Sequence, residues 1–138
     1  MQNEKTLFEK IIAGEIPCTK VYEDIDTFAF LDINPNALGH TLIIPKAPYK
    51  NIHEMPDEIA ATVIKTVKKV SDAISRALKT DGIQIIMNNG SASGQIIFHA
   101  HFHVIPRYNG DKFRRGEHLK YEAGQAEEIA AKIRAEIK

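Results

Sequence analysis

The sequence predicts an α+β domain: an antiparallel sheet of about five strands with a short N-terminal helix, one long central helix and a C-terminal helix. Three observations point there. Strand-like runs outnumber helical ones and mostly follow one another through short links, as antiparallel strands do. One stretch, residues 56–79, carries Ile59, Val63, Val67, Val70, Ile74 and Leu78 at three- and four-residue spacing, a single apolar stripe. Finally, 138 residues suffice for one domain with its own core and fall short of two.

The elements follow in order. Thr6-Leu-Phe-Glu9 has the pattern of a capping box, in which Thr6 accepts from the Glu9 amide and the Glu9 side chain reaches back. A short helix runs on through Phe8, Ile11 and Ile12 to Gly14, and Pro17 prevents its resumption. Residues 20–23 and 27–32 read as two strands joined by the acidic turn Asp24-Ile25-Asp26. Asn34-Pro35-Asn36 and Gly39 mark a loop before the apolar run Leu42-Ile43-Ile44, which Pro45 closes. In the long helix, residues 56–79, Pro56 suits the first turn, Asp57 and Glu58 favour its positive end, and Asp81-Gly82 supplies the stop. Residues 83–88 and 96–105 form the next strand pair, around the loop of residues 89–94. After Pro106 the chain turns polar and irregular. A last helix over residues 124–137 is argued by Ile129, Ile133 and Ile137, with Glu127 and Glu128 early and Lys132 and Arg134 late.

Composition removes several classes of function. Eighteen basic residues balance eighteen acidic ones, which predicts neither nonspecific binding to nucleic acid nor adsorption to an anionic membrane. The single cysteine, Cys18, excludes an internal disulfide framework and suits a reducing compartment. The start, Met1-Gln-Asn-Glu-Lys, has no apolar leader core, and no apolar run approaches membrane-spanning length. The expectation is a cytoplasmic protein.

The densest chemistry is His99-Ala100-His101-Phe102-His103, which holds half of the six histidines. Side chains two apart on a strand share a face, so a strand over residues 96–105 sets all three imidazoles on one side, with Phe98, Ala100, Phe102 and Val104 opposite. Three accounts compete. The row is the polar face of an amphipathic strand; it is a metal site, to which a distant residue such as His40 contributes; or it acts on a phosphoryl centre. In the last, a neutral imidazole attacks phosphorus while its other nitrogen is held in the right tautomer, and neighbouring rings stabilise the developing charge. The middle ring is then the natural nucleophile. The phosphoryl account uses all three positions.

His99-Ala-His101-Phe-His103-Val-Ile resembles the signature of the histidine-triad (HIT) family, His-x-His-x-His-x-x with x apolar. The resemblance continues in matching order through Thr6 to Glu23, Phe28 to Lys46 with its Asp-Ile, Gly-His and Ile-Pro-Lys landmarks, and Asn88 to Arg107. It implies a single HIT domain over residues 1–138, with the core near 6–107 and a C-terminal extension, 108–138, that matches no landmark. It implies a purine-nucleotide hydrolase that attacks an α-phosphate, cleaves a P–N or P–O bond and releases a nucleoside monophosphate. Residue by residue, His101 is the nucleophile, the His99 carbonyl orients its ring, His103 contacts the phosphate and His40 supports the row from behind. Asn88 and the backbone around Gln95 and Ile96 hold phosphate oxygens, Asp32 accepts the ribose hydroxyls, and Phe8, Ile11, Ile16, Phe30 and Ile33 line the base pocket.

Without that context Asp32 reads as a turn residue, residues 88–94 as a hairpin loop and the five apolar residues as core. His53 and His118 match no landmark and read as surface residues. Two departures stand out. Hint-like members commonly carry Ser or Thr after the hairpin Gln; this chain has Ile96, which lacks the hydroxyl near the leaving group. Many bacterial relatives place zinc ligands where this chain has Thr6, Glu9 and Pro48, so no structural zinc is expected and the capping box is the local organiser in its place. No metal is required for the covalent step, which leaves room for magnesium with polyphosphate substrates. The resemblance further implies a homodimer joined sheet edge to sheet edge. Ile-Pro-Arg107 looks more like bacterial triad proteins and the fragile-triad branch than the Hint branch proper, and His103 argues against the transferase branch. The alternatives are a dinucleoside-polyphosphate hydrolase and a nucleotide-binding module with little turnover.

Overall fold

The computed structural model describes residues 4–112 and 117–138. Residues 1–3 and 113–116, the latter within the polar stretch after Pro106, lie outside the described residues. The elements run α1 (Leu7–Ile12), β1 (Lys20–Glu23), β2 (Thr27–Leu31), β3 (Thr41–Pro45), α2 (Asp57–Leu78), β4 (Gly82–Ile86), β5 (Phe102–Arg107) and α3 (Gln125–Ala135). The five strands form one sheet in the order β1-β2-β3-β5-β4, every neighbouring pair antiparallel.

Alternation along the strands divides two cores. Ala29, Leu31, Ile43, Phe102 and Val104 face α2 and α3, where they meet Val63, Val67, Val70, Ile74, Ile129 and Ile133. Burying each aliphatic side chain of this kind contributes about 1.5–3 kcal/mol, which anchors α2 to the sheet. The stripe from Ile59 to Leu78 is therefore core, with Ile59 and Leu78 partly buried at its ends. A buried hydroxyl contact, Thr27 Oγ1 to Thr66 Oγ1 at 2.9 Å, ties β2 to the same helix. On the opposite face Phe28, Phe30, Leu42 and Ile44 pack with Phe8 of α1. Leu42 pairs with His103 across β3 and β5, so this second face carries the last triad histidine.

Local chemistry sets the element ends. Both arms of the capping box are present: Glu9 N–H donates to Thr6 Oγ1 at 3.0 Å, and Thr6 N–H donates to Glu9 Oε1 at 2.9 Å. Asp24 organises the β1–β2 turn, its Oδ1 accepting from the amides of Asp26 and Thr27 and from the Thr27 hydroxyl. Pro56 sits one residue before α2 rather than in its first turn, and the stop comes at Lys79, not at Asp81-Gly82. Lys79 adopts the left-handed conformation (φ 51°) and its N–H donates to Ser75 O, while Gly82 already opens β4. The last helix is shorter than residues 124–137, with Gly124 as its N-cap at φ 78°.

The largest correction concerns residues 96–105. Only Phe102 onward is strand; residues 96–101 run without a ladder. Two of their polar groups go to the end of β3 and the connection after it: Ala100 N–H donates to Tyr49 O at 2.7 Å, and the His99 ring donates to Pro45 O at 2.7 Å. The first part of the row is therefore ordered not by a strand ladder but by packing against residues 45–50, from the last residue of β3 onward. Phe98 joins neither core and is 44% exposed.

Candidate active site

Each triad ring is fixed by a different partner. His99 is wholly buried; its Nε2–H donates to Pro45 O at 2.7 Å, and its Nδ1 lies 2.8 Å from Thr6 Oγ1. With the His99 proton on Nε2, Nδ1 is an acceptor, so the Thr6 hydroxyl donates to it while its oxygen accepts from the Glu9 amide. His101 Nδ1 lies 2.8 Å from the His99 carbonyl oxygen. A carbonyl only accepts, so Nδ1 carries the proton and Nε2 keeps its lone pair. His103 Nδ1 lies 2.9 Å from His40 Nε2. His40 Nδ1 accepts from Asn36 N–H at 3.1 Å, which puts the His40 proton on Nε2 and makes His103 Nδ1 the acceptor. His103 then carries its own proton on Nε2.

Electrostatics keep the rings neutral. Burial, reinforced by the charges of neighbouring histidines, pushes His40 down to about 3. Burial, with His101 second, pushes His103 down to about 4. His99 and His101 are also lowered by burial, against the opposing pull of the Pro45 and His99 carbonyls respectively. Near neutral pH, then, His101 offers a lone pair and His103 an N–H. The 3.7 Å approach of Asp32 to His40 is accordingly not an ion pair.

These two rings open into a cavity of about 460 Å³. Phe8, Ile11, Ile16, Phe30 and Ile33 make its apolar wall, with Asp32, Asn88 and Ile96 among the remaining lining. Phe8 meets His101 edge-on at 5.1 Å between ring centroids, and His101 meets His103 at 5.0 Å. Gly94, at φ 101°, also lines the cavity and lies against the Asn88 amide. A mainly apolar hollow with a few convergent polar groups is the usual form of a small-molecule site.

The donor set bears on metal. Asp32, His40 and His103 are a described group whose ligand atoms converge, all within 4.8 Å of one another. A tetrahedral ion about 2.0–2.1 Å from each nitrogen needs the two nitrogens roughly 3.3 Å apart. The His40 and His103 nitrogens stand at 2.9 Å as a hydrogen-bonded pair, so these residues as placed form a proton-ordering contact.

The HIT domain family model matches residues 13–110. The chain belongs to the HIT family. A crystal structure of a Hit-like protein involved in cell-cycle regulation from Bartonella henselae, with an unknown ligand, superposes on it with a TM-score of 0.90 at 41% identity, covering 98% of each chain. An adenylylsulfatase of Arabidopsis thaliana (HINT3) is 40% identical over 96% of this chain and 67% of its own length. An adenosine 5′-monophosphoramidase of Schizosaccharomyces pombe (hnt1) is 42% identical over 75% of this chain and 74% of its own.

The HIT domain brings most of the sequence-derived residues together and separates a few. His101, His103, Asp32, Asn88, Ile96 and the five apolar residues line the cavity, whereas His99 and His40 stand behind it. Gln95 is taken out of the wall. Its Oε1 accepts from Gly90 N–H at 2.7 Å, its Nε2 donates to Lys50 O and Ile97 O, and its own N–H donates to Gly90 O at 3.2 Å, so it staples the loop. Ile96 beside it is 86% exposed. The sequence reading missed Asn34, Asn36 and His118. His118 is exposed as expected of a surface residue, yet its ring borders the cavity. Only the Asn-Pro-Asn loop offered a hint of the first two, and no pattern singled out His118.

Proposed function

We propose that this HIT protein hydrolyses purine nucleotides at the α-phosphate through a covalent nucleotidyl-His101 intermediate and releases a nucleoside monophosphate. One observation carries the proposal: a lone pair on His101 and an N–H on His103 stand side by side at one cavity, each enforced by a partner behind it. Attacking nitrogen and charge-stabilising donor are what displacement at a phosphoryl centre requires.

The His101 Nε2 lone pair attacks phosphorus in line. The P–Nε2 bond forms as the bond to the leaving amine or phosphate breaks, and the leaving group departs with the bonding pair, an amine taking a proton from water. His103 Nε2–H donates to a non-bridging oxygen. Water then attacks phosphorus, the P–Nε2 bond returns its pair to the ring, and a proton leaves with the monophosphate. Asn88 and the backbone at Ile96 hold phosphate oxygens, Asp32 takes the ribose hydroxyls, and the apolar wall takes the base. The names of the adenylylsulfatase and the monophosphoramidase support adenylyl substrates.

We further propose that no structural zinc is held at the N-terminus. Glu9 Oε1 accepts from the Thr6 amide, and the Thr6 hydroxyl, which is not an ordinary zinc ligand, holds His99 Nδ1, the nitrogen that an ion at this corner would need. A cytoplasmic homodimer, paired sheet edge to sheet edge, completes the reading. It is supported by the half-exposed Ile85 on edge strand β4 and tested by sedimentation, where a monomer at micromolar concentration counts against it.

Turnover of adenosine phosphoramidate, adenylyl sulfate and diadenosine polyphosphates, measured in parallel on native protein and His101→Ala, tests the function. AMP release by native protein and its loss in the variant support it. Full turnover by His101→Ala rejects the nucleophile, and nucleotide binding without turnover of any substrate makes the protein a binding module.

A further inference from the structure

The family domain match ends at residue 110, but residues 117–121 return to the cavity and dock on the loop that follows Asp32. His118 Nδ1 lies 2.8 Å from Asn34 O, Leu119 N–H donates to Pro35 O at 2.7 Å, and the Asn36 amide donates to Glu117 O. Gly39 N–H donates to the Tyr121 hydroxyl at 3.3 Å. One backbone bond and three between a side chain and backbone thus hold the segment on an otherwise irregular loop, and their outcome is an imidazole at the cavity rim.

One residue fixes two groups there. Asn34 N–H donates to Asp32 Oδ1 at 2.9 Å, while Asn34 O receives the His118 ring. Because that carbonyl only accepts, His118 carries its proton on Nδ1 and presents Nε2 as an acceptor in its neutral form. The Asp32 carboxylate is an acceptor on the same wall. Two neighbouring acceptors fit two neighbouring hydroxyl donors; a phosphate would meet a carboxylate, and an apolar group would leave both unpaired. We propose that His118, delivered by the C-terminal segment, is a specificity-determining residue that reads a vicinal diol together with Asp32, the ribose 2′- and 3′-hydroxyls of the nucleotide. The inference rests on the nucleotide reading of the cavity and adds to it a residue beyond the stretch that the family model matches.

Calorimetric titration with AMP, 2′-deoxyAMP and 3′-deoxyAMP tests it on native protein, His118→Ala and His118→Gln, with thermal midpoints recorded for all three. Native protein should prefer AMP over at least one deoxy analogue. His118→Ala should weaken AMP by about three- to tenfold, the worth of one hydrogen bond, and leave that analogue unchanged, so the discrimination narrows. His118→Gln, which keeps an acceptor, should recover part of it. An unchanged ratio of AMP to deoxyAMP affinity in His118→Ala overturns the proposal. Equal weakening of all three nucleotides also does so, because it gives the ring the role of holding the tail. Native protein that binds none of the three removes the nucleotide reading itself, and this inference with it.

Discussion

Thr6→Val isolates one link between the N-terminal helix and the triad. Valine keeps the shape of threonine and removes the hydroxyl, which accepts from Glu9 N–H at 3.0 Å and donates to His99 Nδ1 at 2.8 Å. Loss of an N-cap costs about 1 kcal/mol. A ring nitrogen left unpaired on a fully buried histidine costs about 1–2 kcal/mol more, the lower part of the range for a buried acceptor. Together these predict a loss of about 2–3 kcal/mol, or a thermal midpoint lower by roughly 6–15 °C for a domain of this size. Thr6→Ser, which retains the oxygen, should lose less than about 1 kcal/mol. Denaturant melts followed by far-ultraviolet circular dichroism compare the two. If Val and Ser variants unfold together, the hydroxyl is not the organiser of this corner and the capping argument fails.

Other outcomes follow from the same geometry. His40→Leu removes the donor that sets the His103 tautomer, so kcat should fall by at least about tenfold while AMP affinity stays within about threefold, as single-turnover kinetics and titration would reveal; an unaltered kcat removes His40 from the machinery. Stability should be flat from about pH 6.5 to 8 and fall as the pH drops from there toward 4. His40 and His103 titrate at about 3 and about 4 in the folded state against 6.5 when free, so below 6.5 the unfolded chain binds protons the native one refuses. Each histidine held neutral contributes up to about 1.4 kcal/mol per pH unit, and equal urea midpoints at about pH 7.5 and 5 would contradict this. Gly39→Ala forces a side chain onto a residue at φ 101°, with its Cβ 2.5 Å from Leu78 Cδ1. A loss of about 1–3 kcal/mol in chemical denaturation is expected, and native stability would refute the strain.

The parts of the fold that were legible in the sequence are those where side-chain pattern and backbone need coincide. Val63, Val67, Val70 and Ile74 recur at helical spacing because one face of α2 must meet the sheet, and Thr6 and Glu9 announce their reciprocal cap. The row of histidines was visible, but its alternation suggested more strand than forms. Within residues 96–101 the Ala100 N–H and the His99 ring pair with Tyr49 and Pro45, partners far away in sequence that leave no periodic mark. The backbone at Gln95 shows the same limit: its N–H donates to Gly90 O while its side chain staples the loop to Gly90 and Lys50, pairings that leave no mark in one dimension. The approach of His118 was illegible because residues 117–119 dock largely through backbone groups, which every residue carries. Its neighbour Asn34 reads in the sequence only as part of a loop.

The most direct test of the central claim is capture of the intermediate. Native protein mixed with adenosine phosphoramidate, quenched in denaturant within the first turnover and digested under conditions that spare phosphoramidate linkages, should yield one adenylylated peptide with the modification on His101. An adduct on His99 or His103, or rapid turnover in which no adduct ever accumulates and His101→Ala remains active, would contradict attack by the middle imidazole.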